Sequence, residues 1–284
     1  MKILISGASG FLGQRLCRSL SVSNQLAVIC HEKTVFNFPC ESINLSDDLE
    51  RDIQKFNPDF SLHLAASYSE DDVQETLGCN TVLPARMLKA ISKLDTPNRN
   101  FICIGSYWQH GCGTSMQGAI DLYSASKLAF SGLLEYYASR YAINSIELVL
   151  YGVYSEDDHR GKLINLILES AKSGRLLELS PGEQMLNLVH VKDVISGVEL
   201  AIQAVLDSES GGVSRYRLSS GNEYSVKDLI SLVESCSGLL PNVQLGAKSY
   251  RSVEVFEPVY MYPILPGWRP TVNLESFICN VLEA

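Results

Sequence analysis

Lys2-Ile3-Leu4-Ile5-Ser6-Gly7-Ala8-Ser9-Gly10-Phe11-Leu12-Gly13 is the stretch on which the reading of this chain turns. Lys2 to Ser6 is a short apolar run stopped by a glycine, the pattern of a buried strand. Leu12, Leu16 and Leu20 then recur four apart, which predicts a helix from Phe11 to about Leu20. Three glycines therefore join a strand to a helix. Gly7 permits a tight turn, Gly10 lets a diphosphate approach the backbone, and Gly13 lets the helix lie close to the sheet. Free N–H groups at the helix start would then face the phosphates. The spacing is G-x-x-G-x-x-G rather than the commoner G-x-G-x-x-G, and three glycines by themselves also suit an ordinary strand-to-helix connection. Their place directly after the first strand favours a nucleotide.

Outward from this turn, strand and helix patterns alternate. Strands are expected at Leu26–Cys30, Phe60–Leu64, Phe101–Gly105 and Ser145–Leu150. Between them, helices are expected at Asp47–Phe56, closed by Pro58, at Thr81–Leu94 and at Asp121–Tyr141. Such alternation predicts an α/β fold with a doubly wound parallel sheet, a Rossmann fold, binding its ligand at the carboxyl ends of the strands. After Tyr151 the pattern loosens. Helices are expected at Leu163–Ser173, Val191–Leu206 and Val226–Ser237, and Pro263 to Pro270 is turn-rich. The expected organisation is a cofactor-binding domain over residues 1–155, completed by about 187–212, with a small substrate-binding lobe from 156–186 and 213–284.

Bulk properties narrow the function classes. The 284 residues are 46% hydrophobic and 19% charged, ordinary globular values. A net charge of −9 repels phosphate backbones, so no nucleic-acid partner is expected. Eight cysteines include no C-x-x-C pair, and no His-x-x-x-His or His/Cys cluster occurs. Neither a metal nor a disulfide framework is expected, and a reduced, cytoplasmic setting is. The apolar run at Met1–Ile5 is too short for a signal-peptide core or a membrane span.

Two further groups carry chemistry. The second strand ends Cys30-His31-Glu32-Lys33, with His31 where an NAD-binding sheet usually places its ribose-binding acid. His31, Lys33 or Arg15 would tolerate a 2′-phosphate, which favours NADP over NAD; His31 and Lys33 also suit a solvated loop. Tyr123-Ser124-Ala125-Ser126-Lys127 sets a phenol and an ammonium four apart on one helical face. A nearby cation is expected to lower the phenol pKa, so that Tyr123 can move a proton at a carbonyl oxygen while hydride moves at carbon. Such a pair also arises by chance. Ser106 follows the Phe101–Gly105 strand, where its hydroxyl can steady the reacting oxygen, or simply serve the turn.

Taken together, these residues resemble the extended short-chain dehydrogenase/reductase family, in its sugar-nucleotide epimerase/dehydratase group. The resemblance covers nearly the whole chain. It runs through the glycine turn, His63-Leu64-Ala65-Ala66, Asn80, Ser106, Tyr123-x-x-x-Lys127, Val153-Tyr154, His190-Val191-Lys192-Asp193-Val194, Arg251 and Gly267-Trp268-Arg269-Pro270. It implies Tyr123 as acid/base, Lys127 as the residue that tunes it and holds the nicotinamide ribose, and Ser106 on the reacting oxygen. It further implies a cofactor cleft of Gly7, Ser9, Gly10, Phe11, Leu12, Gly13, His31, Lys33, Asn44, Leu45, Leu64, Ala65, Ala66, Asn80, Tyr123 and Lys127. Ser67, Ser106, Tyr107, Trp108, Tyr151 and Arg251 would meet the substrate, Arg251 at its diphosphate. A homodimer through a four-helix contact is implied as well. The family's usual Arg-Asp, Gly-Pro and Asp-Leu stand here as Leu186-Asn187, Ser155-Glu156 and Asn44-Leu45.

The 4,6-dehydratases of that group follow the serine or threonine with Asp-Glu. Here the two positions hold Tyr107 and Trp108, which cannot act as carboxylates, so dehydration is not expected. Two aromatics there would wall a deoxy sugar's methyl group, or pack under a loop. The layout is most similar to abequose/paratose-synthase-like reductases, which reduce the 4-keto group of a nucleotide-linked 6-deoxy or 3,6-dideoxy hexose. Ser106-Tyr107-Trp108, Pro181-Gly182-Glu183-Gln184 and Gly246-Ala247 ahead of Arg251 carry that likeness. A sugar-nucleotide epimerase with bound NAD, and a nucleotide sensor without turnover, are the alternatives.

Overall fold

The computed structural model describes residues 1–31, 34–96, 99–111, 118–208 and 211–283. Seven parallel strands make the main sheet: β1 (Lys2–Ser6), β2 (Gln25–Cys30), β3 (Glu41–Asn44), β4 (Phe60–His63), β5 (Arg99–Ser106), β6 (Ile143–Leu150) and β10 (Gly212–Leu218). Their order is β10-β6-β5-β4-β1-β2-β3. Successive side chains of β1 enter opposite cores, Ile3 and Ile5 on one face and Leu4 on the other, which is why the strand reads as an unbroken apolar run. Helices α1 (Phe11–Leu20) and α7 (Val191–Leu206) close the first face. Helices α2 (Leu49–Phe56), α4 (Leu83–Ile91) and α5 (Leu122–Tyr141) close the second. The short α3 (Val73–Leu77) leads into α4 through a π-helical turn at Gly78–Val82.

The fold is therefore the doubly wound α/β architecture that the alternation predicts. The chain runs from β1 to β2 and β3 on one side, then crosses back to β4, β5, β6 and β10 on the other. The reversal opens a crevice between the carboxyl ends of β1 and β4, where such sheets bind their ligands. Ser6, His63 and Cys103 lie side by side across β1, β4 and β5, so the ends of these strands share one edge.

A second core lies beyond that edge. It packs Tyr154, Ile164, Ile167, Leu229, Val233, Phe277 and Ile278 among α6 (Leu163–Ser173), α8 (Val226–Ser237) and α9 (Leu274–Glu283). A three-stranded sheet, β7 (Gly152–Tyr154), β9 (Met185–His190) and β11 (Glu223–Ser225), flanks it, and β8 (Leu177–Glu178) pairs with β12 (Val243–Gln244).

Several sequence boundaries move. Residues 213–218 do not join the lobe: β10 pairs with β6 from Gly212 to Leu218 and closes one edge of the main sheet. As an edge strand it carries Arg215 and Arg217 between its apolar residues, so it lacks the continuous apolar run of a central strand. Leu265 and Trp268 of the turn-rich tail also belong to the main core. The Trp268 indole donates to the Asp193 carbonyl of α7 at 2.9 Å. The expected helix from Thr81 begins only at Leu83, after the π-helical turn. β3, α3 and α9 were not expected at all, the first two being only four and five residues long.

Candidate active site

The glycine turn is built as its spacing requires. Gly7 has φ +80, and a Cβ there would stand 2.3 Å from the Ala65 nitrogen. A Cβ on Gly13 would stand 2.0 Å from the Gly7 carbonyl oxygen, so no side chain can enter between turn and helix. Gly10 occupies the N-cap of α1 without a side-chain cap, and the first turn holds no acid. The N–H groups at that helix end are left free for an anion, and the bare backbone fits the diphosphate of a dinucleotide.

The neighbouring cofactor candidates take the following places. The Ser9 carbonyl accepts from Gln14 at 2.7 Å, and Leu12 packs against the main core. Two guanidinium groups lie over the Phe11 ring, Arg15 at 4.1 Å and Arg160 at 3.7 Å from its centroid. Arg15, one of the three groups offered for a 2′-phosphate, is also paired with the largely exposed Asp157. His31 is exposed just past β2, and Lys33 lies outside the described residues. Asn44 ends β3 beside Cys30, and the Leu45 N–H donates to the Cys30 carbonyl at 3.0 Å. Leu64 continues β4 by donating to the Ser6 carbonyl at 3.0 Å; Ala65 is half-buried and Ala66 exposed.

Asn80 is fully buried within the π-helical turn and acts as a rivet. Its side-chain oxygen accepts from the Ser67 N–H at 3.0 Å, and its amide donates to the Ser67 carbonyl at 2.8 Å and the Ser126 hydroxyl at 2.9 Å. The loop after β4 is thus tied to the first turns of α5.

α5 starts at an Asp121 cap, whose carboxylate accepts from the Ser124 N–H at 2.7 Å. Tyr123 and Lys127 follow on the inward face, 7% and 4% exposed. The Lys127 ammonium lies 6.0 Å from the Tyr123 ring centroid. Ser106 ends β5 and is also buried. A buried network holds it there. Its N–H donates to the Gln109 side-chain oxygen at 2.6 Å, and the Gln109 amide donates to Glu147 of β6 at 3.1 Å. Ser131, one turn after Lys127, donates to the same carboxylate at 2.8 Å, and Arg215 of β10 pairs with it at 2.8 Å. Gly105 makes room, since a Cβ there would meet the Glu147 and Gln109 oxygens at 2.8 and 2.9 Å.

The electrostatics differ from expectation in one respect. The Tyr123 pKa is not lowered but held well above its ordinary value, first by burial, then by Tyr68, with the Ser106 hydroxyl pulling it down. Desolvation of the phenolate outweighs the distant ammonium. Burial lowers the Lys127 pKa, against upward pulls from Cys103, Cys79 and Glu147. His63, whose Nδ1 lies 2.7 Å from the Ser6 hydroxyl, is held well below its ordinary pKa by burial and then by Lys127.

The substrate candidates form an aromatic wall beside Ser106. Tyr107 stacks on Tyr151 at 4.8 Å and 12°, and Tyr151 stacks on Tyr260 at 5.2 Å. Burial pushes the Tyr107 phenol up to about 12. Arg251 is exposed, with its guanidinium 5.8 Å from the Trp108 ring. The Ser67 hydroxyl donates to Glu75 of α3 at 2.8 Å. The sequence reading missed Tyr68, which stacks on Tyr123, together with Tyr260 and the Gln109–Glu147 network. Tyr68 had a pointer, since it sits two residues past Ala66, but nothing local marks a contact with Tyr123.

The pattern that defines the NAD dependent epimerase/dehydratase family matches residues 3–215. The chain belongs to that family. Among relatives within it, a CDP-abequose synthase of Yersinia pseudotuberculosis is 31% identical over 275 residues, covering 92% of this chain and 93% of the relative. A CDP-abequose synthase of Salmonella muenchen is 25% identical, covering 99% and 97%. In fold, the chain is similar to the UDP-glucuronic acid 4-epimerase of Bacillus cereus, solved with UDP-glucuronic acid and NAD. That likeness has a TM-score of 0.79 at 21% identity, covering 100% of this chain and 99% of the other. Among the described residues, no helix is long and apolar enough to cross a membrane.

Proposed function

We propose that this epimerase/dehydratase family member reduces the 4-keto group of a nucleotide-diphosphate-linked 6-deoxy or 3,6-dideoxy hexose. The observation that carries the proposal is the convergence of Tyr123, Ser106 and Lys127 at the carboxyl edge of the sheet, with aromatics where a dehydratase has its acids. β5 lies two strands from β1, so Ser106 stands about 10 Å across the sheet from the glycine turn. A reduced nicotinamide cofactor, when bound, supplies the hydride.

Tyr123, kept protonated by its burial, gives its proton to O4. The Ser106 hydroxyl steadies that oxygen, on a backbone fixed by Gln109. Lys127 holds the nicotinamide ribose. Tyr107, Trp108 and Tyr151 offer an apolar wall to a methyl group at C6, and Arg251 takes the diphosphate. NADP is the proposed cofactor, with NAD as the second choice, because His31 rather than an acid follows β2. A homodimer is proposed through α4 and α5, where Val82 before α4 and Leu128, Leu133 and Tyr136 of α5 are exposed.

Incubation with NADPH and a CDP-linked 4-keto-6-deoxy or 4-keto-3,6-dideoxy hexose tests this reading, CDP being chosen because the similar relatives are CDP-abequose synthases. Stoichiometric loss of reduced nicotinamide is expected, and Tyr123→Phe should remove it. Interconversion of 4-hydroxyl epimers without net loss would make the chain an epimerase. Full reductase activity in Tyr123→Phe would refute the mechanism.

A further inference from the structure

A ladder of side chains runs past Ser106. The Arg217 guanidinium of β10 lies 5.2 Å from the Tyr260 ring centroid, and Tyr260 stacks on Tyr151 at 5.2 Å and 25°. Tyr151 stacks on Tyr107 at 4.8 Å and 12°, and Tyr107 meets Trp108 edge to face at 6.1 Å. The Arg251 guanidinium lies 5.8 Å from the Trp108 ring and ends the ladder. Tyr107, Trp108 and Tyr151 are the wall proposed to meet the methyl group at C6. Tyr260 stands behind that wall.

Tyr260 is pinned at its hydroxyl, which donates to Glu223 of β11 at 2.6 Å and accepts from the Asn187 amide of β9 at 3.2 Å. Asn187 is buried and tied to the turn before β11. It accepts from the Ser220 N–H at 3.0 Å and donates to the Asn222 carbonyl at 3.1 Å. One residue before Tyr260, the Val259 carbonyl accepts from the Tyr151 hydroxyl at 2.7 Å. The two tyrosines therefore hold each other. Tyr151 fixes the backbone beside Tyr260, and the Tyr260 ring lies against Tyr151. Aromatic pairs favour particular mutual arrangements, so a ring pinned at its hydroxyl sets the plane of the next.

We infer that Tyr260 is a positioning residue for sugar selection, an inference that rests on the proposed reading of the wall. It holds the plane of Tyr151 and, through it, of Tyr107, so that the wall accepts a 6-deoxy carbon and disfavours a 6-hydroxyl. A hydroxyl pressed against a fixed ring face loses its water partners without gaining others, whereas a methyl group loses nothing. Rings free to tilt would let water back to the hydroxyl, and the distinction would fade. Tyr260 acts through Tyr151 and need not meet the sugar.

Tyr260→Ala removes the rung, and Tyr260→Phe is the conservative variant that keeps the ring. Calorimetry on protein saturated with NADPH would compare CDP, CDP-glucose and CDP-6-deoxyglucose. Both sugars already carry a 4-hydroxyl, so neither can be reduced, and they differ only at C6. The wild type should prefer the 6-deoxy sugar by at least about tenfold. In Tyr260→Ala the preference should fall below about threefold, with affinity for CDP within about twofold of wild type, and Tyr260→Phe should restore it. An undiminished preference in Tyr260→Ala would overturn the inference. So would a loss shared equally by CDP, the mark of a purely structural role, or a phenylalanine variant as impaired as the alanine one. A second readout needs no sugar. In NMR of protein carrying isotope-labelled tyrosine, with Tyr151 assigned by its loss in Tyr151→Phe, Tyr260→Ala should speed the flips of the Tyr151 ring. Unchanged flips would sink the hold of Tyr260 on Tyr151. A wild-type protein that binds both sugars equally would refute the reading of the wall, and the NMR arm would still decide whether Tyr260 positions Tyr151.

Discussion

Replacing Glu147 by glutamine should both destabilise the fold and loosen the Ser106 turn. The carboxylate is 3% exposed and accepts from Ser131, Gln109 and Arg215. Glutamine has nearly the same shape, but one of its terminal atoms becomes a donor facing another donor, and the charge that Arg215 answers is lost. Removing one partner of a buried ion pair costs about 3–5 kcal/mol. Arg215 keeps a second partner, Glu135 at 2.8 Å, which is largely exposed; the lower end of the range, about 3 kcal/mol, is therefore expected. For a chain of this length that is a fall in Tm of about 6 °C. Urea unfolding of the wild type, Glu147→Gln, Arg215→Met and the double variant would measure it, with the double variant less destabilised than the sum of the two. Because Gln109 loses an acceptor for the amide that orients it on Ser106, kcat should fall alongside stability. A loss below about 1 kcal/mol, or additivity in the cycle, would refute this account of the network.

Three further outcomes follow from the same geometry. Gly13→Ala would place its Cβ 2.0 Å from the Gly7 carbonyl oxygen, so dinucleotide affinity by calorimetry should drop at least about tenfold with about 1–3 kcal/mol lost in stability. His63 has its pKa depressed in the fold, so the unfolded chain binds the extra proton: its contribution is complete above the ordinary value of 6.5 and is lost as pH falls below it. Unfolding free energy should therefore decline by up to about 1.4 kcal/mol per pH unit on that account, a slope that His63→Gln should remove in denaturation series at several pH values. Leu133→Glu with Tyr136→Glu puts charge on the exposed face of α5 and should convert the proposed dimer to a monomer by light scattering, leaving helix content unchanged.

The sequence alone determined the fold class, the glycine turn after β1 and the shared face of Tyr123 and Lys127. These are local matters. A buried parallel strand must be apolar throughout, a turn that a diphosphate approaches must lack side chains, and residues four apart on a helix must face the same way. Such constraints are written over a few neighbouring residues and can be read there.

Only the tertiary structure decided what lies far apart in the chain. It placed β10 at the edge of the main sheet rather than in the lobe, and brought Arg215 to Glu147 across 68 positions. It also reversed the expected shift of the Tyr123 phenol, because the burial that raises its pKa comes from elements distant in sequence, while Lys127, four residues away, lies 6.0 Å from the ring. Tyr68 met Tyr123 for the same reason, since Asn80 joins their two segments only once the sheet has formed. Desolvation and long-range hydrogen bonding depend on what the whole chain encloses, and no local pattern of residues records that.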